Sequence, residues 1–187
     1  MIFSEARIQG VYTIDLERRD DHRGFFARSW CANEFEAHGL NPRLAQINMG
    51  FSRNKGTLRG MHFQLAPAQE AKVVRCTRGA IYDVALDLRP DSPTLKQWVG
   101  IELSAGNLRM LYIPEGCAHG YQTLTNNVEM YYQTSQFHAA DLVRGVRYND
   151  PSFAIVWPLE VSCISDADRL WPDYGVSAPA ELQGSRA

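Results

Sequence analysis

Cysteine is scarce and scattered in this chain: there are four, at positions 31, 76, 117 and 163. No two are close enough to form a CxxC redox or zinc motif. Cys76 and Cys117 sit in apolar, strand-like surroundings, which predicts buried free thiols and a reducing, cytoplasmic compartment. No apolar run approaches the roughly 20 residues that a membrane helix needs, so no membrane partner is expected. The first residues, Met1-Ile2-Phe3-Ser4-Glu5-Ala6-Arg7, carry an acid early and lack a long apolar stretch, unlike a secretory leader. Excess positive charge is also missing. The net charge of −2 leaves no basic footprint for a nucleic-acid partner. There is no internal repeat, low-complexity tract or linker before Gly175. One domain over residues 1–175 is therefore expected, with residues 176–187, rich in Ala, Ser and Gly, as a frayed tail.

Helical patterning is absent between residues 57 and 160. Short strands are predicted there at Lys72–Cys76, Ala80–Leu88, Trp98–Leu103, Arg109–Ile113, Gly120–Thr123, Glu129–Thr134 and Ile155–Trp157. Turn residues break them at Gly79, Pro90–Pro93, Ala105–Asn107, Pro114–Gly116 and Thr125–Asn127. Strands at this spacing without intervening helices predict an all-β sandwich or barrel. The 187 residues are 45% hydrophobic and 21% charged, enough for one real core. Ahead of residue 57, Val11–Ile14 alternates weakly as a strand, and Asp20–Gly24 reads as a turn. A short helix is predicted from about Cys31 to His38, with Ser29 as its N-cap and Gly39 as its stop. Pro42 starts an extended segment through Asn48.

The most informative stretch is Gly56-Thr57-Leu58-Arg59-Gly60-Met61-His62-Phe63-Gln64. With Leu58, Met61 and Phe63 in the core and a kink at Gly60, Arg59, His62 and Gln64 would share the other face. A guanidinium, an imidazole and an amide on one wall would suit a polyanionic ligand with an acidic proton. The same pattern also describes a half-buried strand whose polar face is merely solvated.

A second stretch, Pro114-Glu115-Gly116-Cys117-Ala118-His119-Gly120, turns the chain so that His119 starts a strand. Its order resembles the second motif of the cupin β-barrels, and Gly79–Val84 resembles the end of the first. Metal cupins carry two His and a carboxylate in the first motif. Here His62 is present, Gln64 stands where the second His would be, and Glu70 remains. An amide is a poor substitute for imidazole on a transition metal, so a metal-free barrel is expected, with His62 left for acid/base work. For His119 alone, a core histidine bonded to a backbone carbonyl is the competing reading.

The flanks sharpen the resemblance. Asp21-His22-Arg23-Gly24-Phe25-Phe26, Gln46-Ile47-Asn48, Gly56–Gln64, Lys72–Arg75, Asp83–Arg89, Ser92-Pro93-Thr94, Trp98, Ile113–Gly120, Tyr132, Asn149-Asp150-Pro151, Trp157-Pro158 and Ser165–Asp168 follow one order. In that order they resemble the dTDP-4-dehydrorhamnose 3,5-epimerase family over roughly residues 5–172. The resemblance implies a cupin-like jelly roll with a few short helices, a homodimer with a shared active site, no cofactor, and a nucleotide-diphosphate sugar as ligand. It implies His62 as base, Asp168 as its hydrogen-bonding carboxylate and Tyr132 as the opposite-face acid. Lys72 would be the cation for the ketone oxygen, with Asp83 orienting it. Arg59, His119, Gln46 and Asn48 would line the substrate. Arg23 would reach it from a neighbouring subunit, and Phe26 belongs to the same substrate-contacting segment. Plainer readings remain open: Tyr132 as a strand aromatic, Asp168 as a helix cap, and Lys72 and Arg59 as surface charges.

Departures from the family pattern collect at the base end. Arg28 stands where thymidine-specific members carry a glutamate, Phe137-His138 where they carry paired tyrosines, and Ala167 where they carry a lysine. The segment Asn48–Gly56 is one residue longer. These place the nucleotide in question, with CDP- or GDP-linked sugars competing with dTDP. The same residues would also serve a variant inverting only C3 or C5, a ketoisomerase, a metal cupin, or a non-catalytic nucleotide-sugar binding barrel.

Overall fold

The computed structural model describes residues 1–175; the expected fraying of 176–187 lies outside the described residues. Thirteen strands and two short helices make up this part of the chain. Strands β1 (Ile2–Glu5), β2 (Tyr12–Asp15), β5 (Gln46–Ser52), β7 (Lys72–Arg78), β10 (Met110–Ile113) and β12 (Val128–Thr134) form one sheet, in the order β1-β2-β10-β7-β12-β5. Strands β6 (Leu58–Gln64), β8 (Ala80–Asp87), β9 (Trp98–Ser104), β11 (Cys117–Thr123) and β13 (Val143–Gly145) form the second, in the order β13-β6-β11-β8-β9. A separate hairpin joins β3 (Arg19–Asp21) to β4 (Gly24–Phe26). All strand pairings in the sheets are antiparallel, and the two sheets face each other as a jelly-roll sandwich.

Strand alternation sorts the side chains into three apolar layers. Val74 and Cys76 of β7, Ile81 and Ala85 of β8, Cys117 and Tyr121 of β11, and Val128 and Met130 of β12 point between the sheets. The opposite face of the second sheet carries Met61, Phe63, Val84, Leu86 and Ala118, covered by Val146, Phe153 and Ile155. The opposite face of the first sheet carries Ile14, Val73, Met110 and Tyr112, covered by Phe35. Phe35 belongs to α1 (Ala32–Ala37) and is fully buried. Removing such a side chain from water contributes about 1.5–3 kcal/mol, which docks a helix too short to be stable alone. The inner layer is apolar over only part of its extent. Along the same alternating positions lie Lys72, Asp83, His119, Tyr132 and Thr134, and all of these but the fully buried Asp83 line a cavity.

Several local expectations need correction. Ile155–Trp157 is not a strand: Ile155 covers the second sheet, and the Trp157 indole donates to the Tyr148 carbonyl at 2.9 Å. A short apolar run signals burial without specifying a pairing partner. Ser29 does not cap α1; Cys31 occupies the N-cap without a side-chain bond to the helix, while its carbonyl accepts from the Glu34 and Phe35 N–H groups. Gly39 does end the helix, its N–H donating to the Glu36 carbonyl. The turn at His22-Arg23 lies between two short strands that the sequence reading missed. β11 begins at Cys117, so His119 lies inside the strand and not at its start. Cys76 and Cys117 are buried free thiols, as expected.

Asp87, at the end of β8, is fully buried and holds the following loop. It accepts from Arg89 Nε at 2.9 Å, Ser92 Oγ at 2.6 Å and Thr94 Oγ1 at 2.6 Å. Burial works against its charge, but these donors outweigh burial and hold the carboxyl at about 2, below the usual 3.8. A depressed folded-state value contributes stability that is complete above the unfolded value and is lost as pH falls through the folded one. Asp87→Asn is therefore expected to destabilise the chain by about 2 kcal/mol at neutral pH. Denaturant melts of the two proteins should converge between pH 4 and pH 2, and a constant gap across that window would contradict the assignment.

Candidate active site

Arg59 and His62 are three residues apart on β6, and a regular strand would send them to opposite faces. Against β11 the pairing runs His119 to His62 and then Tyr121 to Arg59, so β6 carries one extra residue between the pairs. The bulge brings both side chains to the inner face. Gly60 makes it: its φ is +120°, and a Cβ there would lie 2.5 Å from Gly120 Cα and 2.8 Å from the His119 carbonyl oxygen. Only glycine meets both the conformation and the contact.

The cavity between the sheets has a volume of about 840 Å³. Arg59, His62 and Gln64 of β6, Lys72 of β7, His119 of β11 and Tyr132 of β12 line it. Gln46 and Asn48 of β5, His138 and Asp168 line it as well. Asn48 pairs with Tyr132, and Gln46 with Thr134, across the β5–β12 ladder.

The His62 ring is 40% exposed and the Asp168 carboxylate 8%, so the imidazole reaches the cavity from a buried support. His62 Nε2 lies 2.6 Å from Asp168 Oδ1. The Gly60 N–H donates to Asp168 Oδ2 at 3.2 Å, tying the same carboxylate to the bulge. Burial disfavours the Asp168 charge, yet His62 and Gly60 outweigh it and hold the carboxyl below its usual range. Helix α2 (Asp166–Arg169) presents this residue; Ser165, not Asp168, is its cap, accepting from Asp168 N at 3.1 Å. His62 Nδ1 has no hydrogen bond among the described residues and is the nitrogen left for a ligand.

Asp83 does not orient Lys72. It lies fully buried behind His119, with Oδ1 2.7 Å from His119 Nε2. This also replaces the backbone-carbonyl reading of His119 with a second histidine–carboxylate pair. Lys72 Nζ pairs instead with Glu70 Oε1 at 3.1 Å. The spacing of Asp83 from Lys72 gave no hint of this, because it depends on which strands are neighbours. Burial raises the Tyr132 phenol above its usual range, Glu70's charge raises it further, and Arg59 opposes both. Burial also raises Tyr121, whose ring stacks on His119 at 6.4 Å.

Gln64 is turned into the wall. Its Nε2 donates to the Ala68 carbonyl at 2.8 Å, and its Oε1 accepts from Ala139 N at 2.7 Å. Among the described residues, no group of three His, Cys, Asp or Glu is arranged to hold a metal ion.

Besides Asp83, four expected residues lie outside the cavity. Arg23 sits on the β3–β4 hairpin, 78% exposed and paired with Asp21 at 2.6 Å. Phe26 on the same hairpin is 73% exposed. Arg28 pairs with Glu34 of α1 at 3.0 Å. The Phe137 ring is exposed, and only its neighbour His138 lines the cavity, with its N–H donating to Gln46 Oε1 at 2.6 Å. Ala167 does face the cavity.

The sequence reading missed Tyr121, Val143 and Trp171 in the cavity wall. Tyr121 was findable, since it alternates with His119. Trp171 was not: it follows α2 in an aperiodic segment and meets His62 edge-on at 6.5 Å. Its ring lies on Gly145 of β13, where a Cβ would come within 2.3 Å of the indole.

Residues 5–175 match the family described as dTDP-4-dehydrorhamnose 3,5-epimerase. A dTDP-4-dehydrorhamnose 3,5-epimerase from Shigella flexneri is 44% identical over 165 residues, covering 88% of this chain and 91% of that protein. A dTDP-4-dehydrorhamnose 3-epimerase from Streptomyces niveus is 38% identical, covering 87% of this chain and 78% of that one. The crystal structure of a Legionella pneumophila dTDP-6-deoxy-D-glucose-3,5-epimerase in complex with dTDP-4-keto-L-rhamnose superposes with a TM-score of 0.90 at 34% identity, covering 97% and 96% of the two chains. With the family match spanning nearly the whole described chain, and the barrel and its histidine–carboxylate pair in place, this protein belongs to the dTDP-4-dehydrorhamnose 3,5-epimerase family.

Proposed function

We propose that this chain is an epimerase of a nucleotide-linked 4-keto-6-deoxy sugar, with dTDP-4-keto-6-deoxyglucose as the first substrate to test. The observation that carries this reading is the 2.6 Å His62–Asp168 contact in the wall of a cavity that Tyr132 and Lys72 also line. A ketone at C4 acidifies the protons at C3 and C5. Removing one gives an enolate, and returning a proton to the opposite face inverts the carbon. The chemistry calls for a base, an opposed acid and positive charge for the enolate oxygen, with no cofactor. In this reading His62 Nδ1 takes the proton, and Asp168 fixes the tautomer and stabilises the imidazolium. Tyr132 returns a proton from the other face, and Lys72 faces the C4 oxygen. Arg59, His119, Gln46, Asn48 and His138 hold the nucleotide diphosphate and the sugar. Residues 1–175 act as one domain.

A binding barrel without catalysis would not require a buried carboxylate behind one imidazole together with a phenol in the same cavity wall. Whether one or both carbons invert is a separate matter, since the family's relatives include both 3,5-epimerases and a 3-epimerase.

A homodimer is part of the reading. Ile47, Met49 and Phe51 project from edge strand β5, between 46% and 68% exposed. Phe25 and Phe26 are exposed on a hairpin that, among the described residues, pairs only with itself. A lone two-stranded hairpin is marginal in water, and an apolar edge invites a partner. A second copy would cover both and bring Arg23 to the neighbouring cavity.

Three outcomes test this. His62→Ala should reduce epimerisation by about 10²–10⁴-fold and abolish solvent deuterium entry at the carbons beside the ketone. A folded variant exchanging at the wild-type rate would remove His62 as the base. Tyr132→Phe should let proton abstraction persist while inversion fails, so that deuterium exchange outruns net epimerisation by NMR; equal loss of both would exclude a separate donor role. Light scattering should give twice the chain mass, and Phe26→Asp should produce monomers with kcat/KM reduced at least about tenfold. A fully active monomer would refute the shared site.

A further inference from the structure

A line of hydrogen bonds that the mechanism leaves unused runs along the cavity wall. Glu70 lies in the loop joining β6 to β7. Its Oε1 is 3.1 Å from Lys72 Nζ, and the two side chains are only 11% and 10% exposed. Its Oε2 accepts from Gln64 Nε2 at 3.0 Å. The same amide nitrogen reaches the Phe137 carbonyl at 3.2 Å, while Gln64 Oε1 accepts from Ala139 N at 2.7 Å. Acceptors around the nitrogen and a donor at the oxygen leave one orientation for this amide. Lys72 Nζ also reaches the His62 carbonyl at 3.5 Å. The line is therefore continuous from the 137–139 segment to the backbone of the candidate base.

Burial gives the line its weight. A nearly buried ammonium stripped of its carboxylate is left uncompensated. Among the described residues, the one other carboxylate in the cavity wall is Asp168, already committed to His62 and Gly60.

We infer that Glu70 is a positioning residue: it holds the Lys72 ammonium at the reaction centre and, through Gln64, ties that position to the 137–139 segment. The inference rests on the proposed role of Lys72 at the ketone oxygen. His138 of that segment lines the cavity, so ligand contacts there bear on the placement of the cation.

Glu70 also acts on the proposed acid. After burial, its charge is the next cause that keeps the Tyr132 phenol protonated, against Arg59 of β6. Also lining the cavity with Tyr132 are Lys72 from β7, His62 from β6, His119 and Tyr121 from β11, Asp168 from α2, and His138. Removing the Glu70 charge lowers the phenol's value, so the alkaline limb of activity moves to lower pH.

The test compares the full wild-type chain with Glu70→Gln, Glu70→Asp and Gln64→Leu on dTDP-4-keto-6-deoxyglucose, following kcat, KM and deuterium exchange from neutral to alkaline pH. Glu70→Gln should lower kcat about 10- to 100-fold, the scale of a misplaced reacting group, with KM changed less than about threefold. Its alkaline limb should shift down. Glu70→Asp keeps the charge but falls short by a methylene, so it should lose kcat without the shift. Gln64→Leu should lower kcat with the limb unmoved, and it decides the matter if Glu70→Gln does not fold. Wild-type kcat in Glu70→Gln, or in Gln64→Leu, overturns the inference; so does a Glu70→Gln loss with an unmoved limb. A wild-type chain that exchanges no deuterium into the sugar fails the epimerase reading itself, whereas an active wild type with an unchanged Glu70→Gln fails only this inference.

Discussion

The bulge at Gly60 is the constraint on which the rest of the site depends. One extra residue in β6 turns Arg59 and His62 to the same side and offers the Gly60 N–H to Asp168. The geometry exists only because Gly120 stands opposite, where a side chain at position 60 would strike backbone. The candidate base, the candidate diphosphate contact and the supporting carboxylate are thus placed by one irregularity between two neighbouring strands. Bulges recur next to active sites because they re-aim side chains without dissolving the sheet.

A sandwich interior that holds charge must pair it. Here the cavity side of the inner layer carries three pairs: His62 with Asp168, His119 with Asp83, and Lys72 with Glu70. Each has a partner close enough to offset part of the desolvation cost. The apolar half of the same layer, around Val74, Ile81, Leu111 and Met130, supplies the rigid backing. Among the described residues Asp83 Oδ2 is buried without a partner, a local cost accepted next to the cavity.

Of the residues expected around a nucleotide base, His138 and Ala167 line the cavity, and Arg28 and Phe137 do not. Arg28 is engaged with Glu34, which also receives the Met1 amino group at 2.8 Å. Phe137 is exposed and does not line the cavity, while His138 does, its N–H bonded to Gln46. Val143 and Trp171 supply apolar wall in the same cavity. The cavity wall itself is built mostly from strand-borne side chains, with Asp168 of α2, His138 and Trp171 added from the covering segments.

Fold class and the outline of the site were legible in the sequence because both rest on local signals. Alternation with turn residues marks short strands, and seven glycine- and proline-punctuated segments without helical period leave a sandwich or barrel. Arg59-Gly60-x-His62 showed a kinked strand with a shared polar face, and the ordered motifs carried the family resemblance. What the sequence could not supply was adjacency across strands. Asp83 was assigned to Lys72, yet the β8–β11 pairing gives it to His119; Glu70, two residues from Lys72, holds the ammonium instead. Trp171 sits on Gly145 and meets His62 edge-on, contacts between segments with no common pattern. Periodicity fixes which way a side chain points. Which other side chain it meets is decided by strand order, register and the path of the covering loops, and those exist only in the folded chain.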